Sequence, residues 1–402
     1  MGLKNAIYAQ SGGVTAVINV SASAVIQTLR HYPDKINKIF AAKNGILGVF
    51  AEEFIDLTNI DDAIIAQLLY TPGGAFGSCR YKLQSNQEEY IKLINIFKKY
   101  DIGYFFYNGG GDSMDTVNQI ATFSQELDYP IICIGIPKTI DNDLPYTDNC
   151  PGFGSVAKYI AISTKEAGFD IASMCTSSTK IFILEVMGRH TGWIAAASAL
   201  ANDISNEPPH IILFPEVPLH PEKFLKQVEA TILNQQYCVI VVSDGLRTLD
   251  GQFLTDSITH DAFGHAQLGG VAPIIANMIK EKYGYKYHWA VADYLQRSAR
   301  HIAAQTDVEQ AYALGKTAVI LAMNNHTAIM PIIKRISNNP YQWEIGQVAL
   351  DKVANQEKKL PLEFIAPNGM HITPACREYL EPLIQGEAYP LYKNGIPDYI
   401  KF

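Results

Sequence analysis

Two stretches leave the chain little choice of fold. Ile102-Gly103-Tyr104-Phe105-Phe106-Tyr107 is apolar at almost every position, as a strand must be when both its faces are covered. It runs straight into Asn108-Gly109-Gly110-Gly111-Asp112-Ser113-Met114-Asp115-Thr116 and then a helical pattern to about Phe123. The second stretch, Ile131-Ile132-Cys133-Ile134, is a buried parallel strand by the same reasoning. Pro137 ends it, because proline cannot donate to a strand ladder. The loop that follows is polar, with Lys138, Thr139, Asp141, Asn142 and Asp143. Apolar strands alternating with helices make an α/β protein, and ligands bind such sheets at the carboxyl ends of strands.

The residues in these loops carry recognisable chemistry. A carboxylate at a strand end can act as a general base, and a lysine beside it can hold a phosphate. A surface loop rich in Asx turns has the same composition, so the loop alone decides nothing. The strand Ala6-Ile7-Tyr8-Ala9 turns through Gln10-Ser11-Gly12-Gly13-Val14-Thr15 into a helix from Ala16 to Arg30. Glycines there let backbone N–H groups approach an anion at the helix N-terminus, or simply make a tight turn. Thr71 to Arg80 is a second glycine-rich loop, ending in an arginine whose planar fork suits phosphate oxygens. Further strands are read at Lys38–Ala42, Ile181–Val186, Ile211–Phe214 and Tyr237–Val242. Helices are read from Pro151 to about Phe169, at Pro221–Leu233 and at Ala311–Ala322. Residues 327–336 and 343–353 mix strand and helix patterns, and 379–402 reads as irregular.

Charge bounds the partners. With 32 basic against 40 acidic residues the net charge is −8, so nothing supplies a basic face for nucleic acid. Any anionic ligand needs a local gathering of lysine and arginine. The 6 cysteines form no Cys-x-x-Cys pair, which argues for reduced, buried thiols and against a zinc or redox site. No run of 18 apolar residues is present, so no membrane span is expected. Met1-Gly2-Leu3-Lys4-Asn5 leads straight into a strand, and a cytoplasmic location is expected.

Pro137-Lys138-Thr139-Ile140-Asp141-Asn142-Asp143 resembles the catalytic loop of the phosphofructokinases. Ser11-Gly12-Gly13-Val14-Thr15-Ala16-Val17-Ile18-Asn19 is similar to the first phosphate loop of the pyrophosphate-using branch, and Asn44-Gly45-Ile46-Leu47-Gly48 is similar to the family too. Glu185-Val186-Met187-Gly188-Arg189, Pro215-Glu216, Phe263 to Gly270, and Tyr294-Leu295-Gln296-Arg297 match later family strings in order, from residue 5 to about 320. The resemblance implies a phosphofructokinase fold: two Rossmann-like α/β lobes with mostly parallel sheets and a cleft between them. It places a phosphoryl-donor lobe at 1–137 and 267–305. A sugar-phosphate lobe takes 138–266 and 306–402, with a C-terminal elaboration.

The resemblance also implies roles. Asp141 is the general base, with Thr139 and Lys138 beside it. Gly12, Gly13, Arg80, Lys138, Asp112 and Ser113 meet the donor. Met187, Gly188, Arg189, Glu216, His265, Tyr294 and Arg297 hold the sugar phosphate. Arg297 supplies charge where Leu268 stands in place of the arginine of many ATP users. Lys180 matches an arginine that reaches a neighbouring subunit's substrate in tetrameric relatives. Asp143 and Asp112 are the metal ligands for Mg²⁺. Two alignments stay open at the donor loop. Without a gap, Asp112 occupies the position that separates pyrophosphate users from ATP users, and Gly111 stands where the family has a metal-side Asp or Asn. Shifted by one, Asp112 is the metal ligand and Ser113 the discriminating residue.

The reaction implied is phosphoryl transfer from pyrophosphate to the 1-hydroxyl of fructose 6-phosphate, reversible, by a homodimer or homotetramer. Two other readings are an ATP-dependent 6-phosphofructokinase and a non-catalytic sugar-phosphate-binding subunit of the same fold. A dinucleotide oxidoreductase is weaker, because no strand-linked Gly-x-Gly-x-x-Gly occurs.

Overall fold

The computed structural model describes residues 2–83, 87–202, 206–255 and 270–402. In chain order it opens with β1 (Lys4–Gln10), α1 (Ile18–Leu29), β2 (Ile36–Ala42), α2 (Ile46–Phe50) and β3 (Phe54–Asp56). Next come α3 (Asp62–Leu68), α4 (Gln87–Lys99), β4 (Ile102–Gly109), α5 (Gly111–Glu126) and β5 (Ile132–Pro137). Then follow α6 (Phe153–Met174), β6 (Ile181–Val186), α7 (Trp193–Ala197), β7 (Ile211–Leu213) and α8 (Pro221–Gln235). The remainder is β8 (Cys238–Ser243), α9 (Val271–Tyr283), β9 (Tyr287–Val291), α10 (Asp293–Ser298), α11 (Gln305–Met323), β10 (Ile329–Asn338), β11 (Tyr341–Ala349) and α12 (Pro374–Leu380). A short pair, β12 (Tyr392–Lys393) and β13 (Ile396–Pro397), lies near the end.

The chain divides into two compact units, one of residues 1–155, 297–357 and 385–402 and the other of 156–296 and 358–384. These limits differ from those read in the sequence. Residues 270–296, expected with the first lobe, belong to the second unit, and 306–357 with 385–402 belong to the first. The cause is non-local. Helix α11 packs along α1 and β5, and β10 pairs with β5, so this later chain closes the first sheet.

The first unit holds a seven-stranded sheet in the order β11-β10-β5-β4-β1-β2-β3. Its centre, β2-β1-β4-β5, is parallel, and the antiparallel β3 and β10–β11 hairpin form its flanks. Both faces are covered, which explains the unbroken apolar runs: all of β4 and β5 is buried. Phe97, Phe105, Tyr107 and Met114 pack on one side, and Tyr8, Tyr104, Phe106 and Ile134 on the other. The second unit holds a four-stranded parallel sheet, β7-β8-β6-β9, around Ile183, Ile240, Phe224 and Ile275.

Residues 398–402 return to the glycine-rich loop of the first unit. The Ile400 N–H donates to Oγ1 of Thr71 at 3.2 Å, and Nε2 of Gln67 donates to the Asp398 carbonyl at 3.1 Å. The Phe402 ring lies 4.8 Å from that of Phe76, which is itself buried.

Candidate active site

In the first unit the strands β1, β4 and β5 deliver their loops side by side, because they are neighbours in one parallel sheet. The Ser11 N–H donates to the Asn108 carbonyl at 2.9 Å, the Gly12 N–H to the Cys79 carbonyl at 2.8 Å, and the Lys138 N–H to the Gly109 carbonyl at 3.1 Å. Four segments distant in sequence therefore share one end of the sheet.

Cations gather there around Gly13. The Lys138 side chain is buried and its Nζ donates to the Gly13 carbonyl at 2.6 Å. A Cβ on Gly13 would come within 2.8 Å of Nη1 of Arg297 and 3.4 Å of Nη2 of Arg80. One on Gly12, where φ is +75°, would sit 3.4 Å from Nζ of Lys138. Gly12 thus supplies left-handed backbone, and the absence of side chains at both glycines leaves room for three cationic groups. Burial lowers the Lys138 pKa to about 8, against the raising pull of Asp141 and Asp143; the charges of Arg297 and Arg80 lower it further. In a chain of net charge −8, this local positive excess suits an anionic ligand.

The loop after β5 is fastened along its length. The Thr139 N–H donates to the Pro151 carbonyl at 3.3 Å, and its Oγ1 accepts from the Asp141 N–H at 3.1 Å. Asn142 takes φ +54°, a conformation that asparagine tolerates, and its Oδ1 accepts from the Cys150 N–H at 3.0 Å. Thr147 and Asp148 are tied to Ile333 of β10, and Arg335 forks onto both Asp148 oxygens at 3.1 and 3.0 Å. Buried Asp307 accepts from the N–H groups of Gly152 and Ser155, both at 2.9 Å. Burial and the charge of Asp141 raise the Asp143 pKa to about 6, and its buried Oδ1 has no hydrogen-bond partner among the described residues.

The first turn of α5 separates the two donor-loop candidates. Ser113 is buried, and its Oγ lies 2.1 Å from where a Gly109 Cβ would stand. Asp112 is exposed, with Lys82 Nζ 3.3 Å from its Oδ1. An ion pair this exposed holds weakly.

The other residues singled out in the sequence lie mostly in the second unit. Gly188 takes φ +141°, and a Cβ there would strike the Thr191 carbonyl at 2.5 Å, so the turn after β6 needs glycine. The Met187 N–H donates to Oε1 of Gln296 at 3.4 Å. The Arg189 guanidinium is 4.9 Å from the Phe253 ring centroid. Oε1 of Glu216 accepts from the N–H groups of Gly192 at 2.8 Å and Leu360 at 3.1 Å. Burial raises the Glu216 pKa, and its Oε2 is buried without a hydrogen-bond partner among the described residues. Tyr294 is exposed on α10. Lys180 donates to the carbonyls of Cys175 at 2.9 Å and Gln236 at 3.3 Å. His265 and Leu268 lie outside the described residues.

Arg297, expected at the sugar phosphate, has its guanidinium at Gly13 beside that of Arg80. Asp307 was missed, since nothing around it in the sequence marks it.

Glycine-rich loops at the carboxyl ends of parallel strands, with three cations gathered on them, define an anion-binding α/β protein. The phosphofructokinase family model matches residues 5–321, and the chain belongs to that family. It is 58% identical to the pyrophosphate–fructose 6-phosphate 1-phosphotransferase of Methylococcus capsulatus, over 100% of this chain and 96% of that protein. It is 56% identical to the protein of the same name from Halomonas elongata, over 100% and 96%. Among solved structures, the pyrophosphate-dependent phosphofructokinase of Nitrosospira multiformis matches with a TM-score of 0.92 and 57% identity, covering 99% of this chain and 96% of that one. The one from Marinobacter aquaeolei matches with a TM-score of 0.91 and 56% identity, covering 99% and 95%.

Proposed function

We propose that the protein transfers a phosphoryl group from pyrophosphate to the 1-hydroxyl of fructose 6-phosphate, reversibly, giving fructose 1,6-bisphosphate and phosphate. The observation that carries this reading is the gathering of Lys138, Arg80 and Arg297 at Gly13, in a chain whose relatives bear that activity in their names. Such a reaction needs positioning and charge neutralisation more than covalent chemistry, and three cations on a bare glycine backbone suit both.

The first unit takes the donor and the base. Lys138, Arg80 and Arg297 bind the diphosphate over Gly12 and Gly13. Asp141 accepts the proton of the sugar hydroxyl, and Thr139 fixes its backbone. In the second unit Met187, Gly188, Arg189, Glu216 and Tyr294 recognise the sugar phosphate, with His265 as the remaining member. The geometry favours Arg297 as a donor ligand over the sugar role read from the sequence.

The family generally uses Mg²⁺. Among the described residues no three His, Cys, Asp or Glu side chains are grouped to hold a metal by themselves. Magnesium is usually held by one or two carboxylates together with substrate phosphates. The orphaned Oδ1 of Asp143 suits one such ligand. When bound, the ion supplies charge neutralisation at the diphosphate. The reading includes a cytoplasmic homodimer or homotetramer. No helix among the described residues is long and apolar enough to cross a membrane.

The exposure of Asp112 and the burial of Ser113 support the gap-free alignment, in which Asp112 excludes a nucleotide. Initial rates with pyrophosphate and with ATP test this. Pyrophosphate should be preferred by at least about a hundredfold, equivalent to about 2.7 kcal/mol. Asp112→Gly should narrow that gap, and an ATP preference in the wild type would overturn the reading. Glu216→Gln keeps an oxygen for the two N–H groups but loses the charge. It should raise the KM for fructose 6-phosphate about tenfold and leave that for pyrophosphate alone. Equal KM values for the sugar would remove Glu216 from the site.

A further inference from the structure

The Asn19 side chain sits in the first turn of α1, fully buried, and every polar atom of its amide is used. Its Nδ2 donates to the Thr71 carbonyl at 2.7 Å and the Gly73 carbonyl at 2.8 Å. Its Oδ1 accepts from the Ala75 N–H at 3.1 Å and from Nε2 of Gln10 at 3.1 Å. Three backbone groups of the Thr71–Arg80 loop thus hang on one side chain. The network continues: Nε2 of Gln10 donates to the Tyr8 hydroxyl at 3.2 Å, and Nδ2 of Asn108 donates to it at 2.9 Å. Gln10 leads into the Gly12-Gly13 turn, and Asn108 leads into Gly109 and Gly110. One buried set of amides and a phenol therefore ties together three loops that surround the cations.

Only an amide can make this set of bonds. It offers two donors to two carbonyls and an acceptor to an N–H. An aspartate would turn an oxygen on the two carbonyls, and a serine is too short to span all three.

We propose that Asn19 is a positioning residue for donor binding: it sets the Thr71–Arg80 loop so that the Arg80 guanidinium stands over Gly13. This rests on the pyrophosphate reading above. Asn19 itself touches no substrate, so its effect passes through the loop. Ser23 provides the control, being a buried residue of the same helix whose Oγ donates at 3.0 Å to the carbonyl of Ile65, a residue outside the Thr71–Arg80 segment.

The test is steady-state kinetics of the whole chain as wild type, Asn19→Asp, Asn19→Ser and Ser23→Ala, with thermal unfolding of each. Wild-type turnover with pyrophosphate establishes the reading on which the proposal rests; failure there sinks that reading and this one with it. Given turnover, Asn19→Asp should raise the pyrophosphate KM about tenfold or more, with the fructose 6-phosphate KM within about twofold. Ser23→Ala should lower the unfolding midpoint and leave both KM values in place. If Asn19→Asp does not fold, Asn19→Ser carries the same comparison, read also as loss of the thermal shift given by pyrophosphate with the shift given by fructose 6-phosphate retained. Parallel rises of both KM values, or an unchanged pyrophosphate KM, would overturn the assignment.

Discussion

Asp141→Asn should cut turnover about a thousandfold, within the range for loss of a general base, while the KM for fructose 6-phosphate stays within about threefold. The amide keeps the size of the side chain and cannot accept the proton. The backbone around it is independent of the change, since the Asp141 N–H is held by Oγ1 of Thr139 and Asn142 is held by Cys150. The Arg80 and Arg297 guanidinium groups at Gly13 are untouched, but the Asp141 charge that raises the Lys138 pKa is lost, so donor binding should persist on the acid side, where the Lys138 ammonium remains. Single-turnover measurements with saturating substrates isolate the step. Turnover within tenfold of wild type would remove Asp141 from the role of base.

Lys138→Met should lower kcat/KM for pyrophosphate by about a hundredfold to a thousandfold, the scale seen when one preorganised donor to a developing charge is lost. Methionine fills the volume of the buried stem, so packing is preserved while the charge and the hydrogen bond to the Gly13 carbonyl are removed. The KM for fructose 6-phosphate should move little, which separates this variant from a general loss of structure. The lysine also gives a pH signature. Its pKa is lowered to about 8 by burial; the carboxylates of Asp141 and Asp143 raise it, and the guanidinium groups of Arg297 and Arg80 lower it further. The ammonium is the binding form, so it predominates below about pH 8 and is lost as pH rises through that value. In the wild type kcat/KM for pyrophosphate should therefore fall about tenfold per pH unit on the alkaline side. An alkaline limb that is unchanged in Lys138→Met would assign the titration to another group.

Much of the architecture could be read from residues because the central strands are covered on both faces. Ile102–Tyr107 and Ile181–Val186 have no choice but burial, and both are strands where the pattern puts them. The hairpin β10–β11 was opaque for the opposite reason: its outer half alternates between exposed and partly buried residues, and its pattern is diluted by that. Unit boundaries were also hidden, since they depend on α11 returning to α1 and β5, and no local string encodes a return. The same division runs through the site. Lys138, Gly13 and Arg80 belong to short strings with their own chemistry. Arg297 belongs to a family string too, but only the folded chain shows which glycine it faces. Asn19 lay inside a recognised string, yet its reason for being there is a loop more than fifty residues away.

The position of Phe402 against Phe76 has a practical bearing on how the protein is handled. A peptide fused after Phe402 would begin beside the arginine-bearing loop and press on the residues that shape its donor end. A histidine tag there should weaken donor affinity without any change in sequence elsewhere.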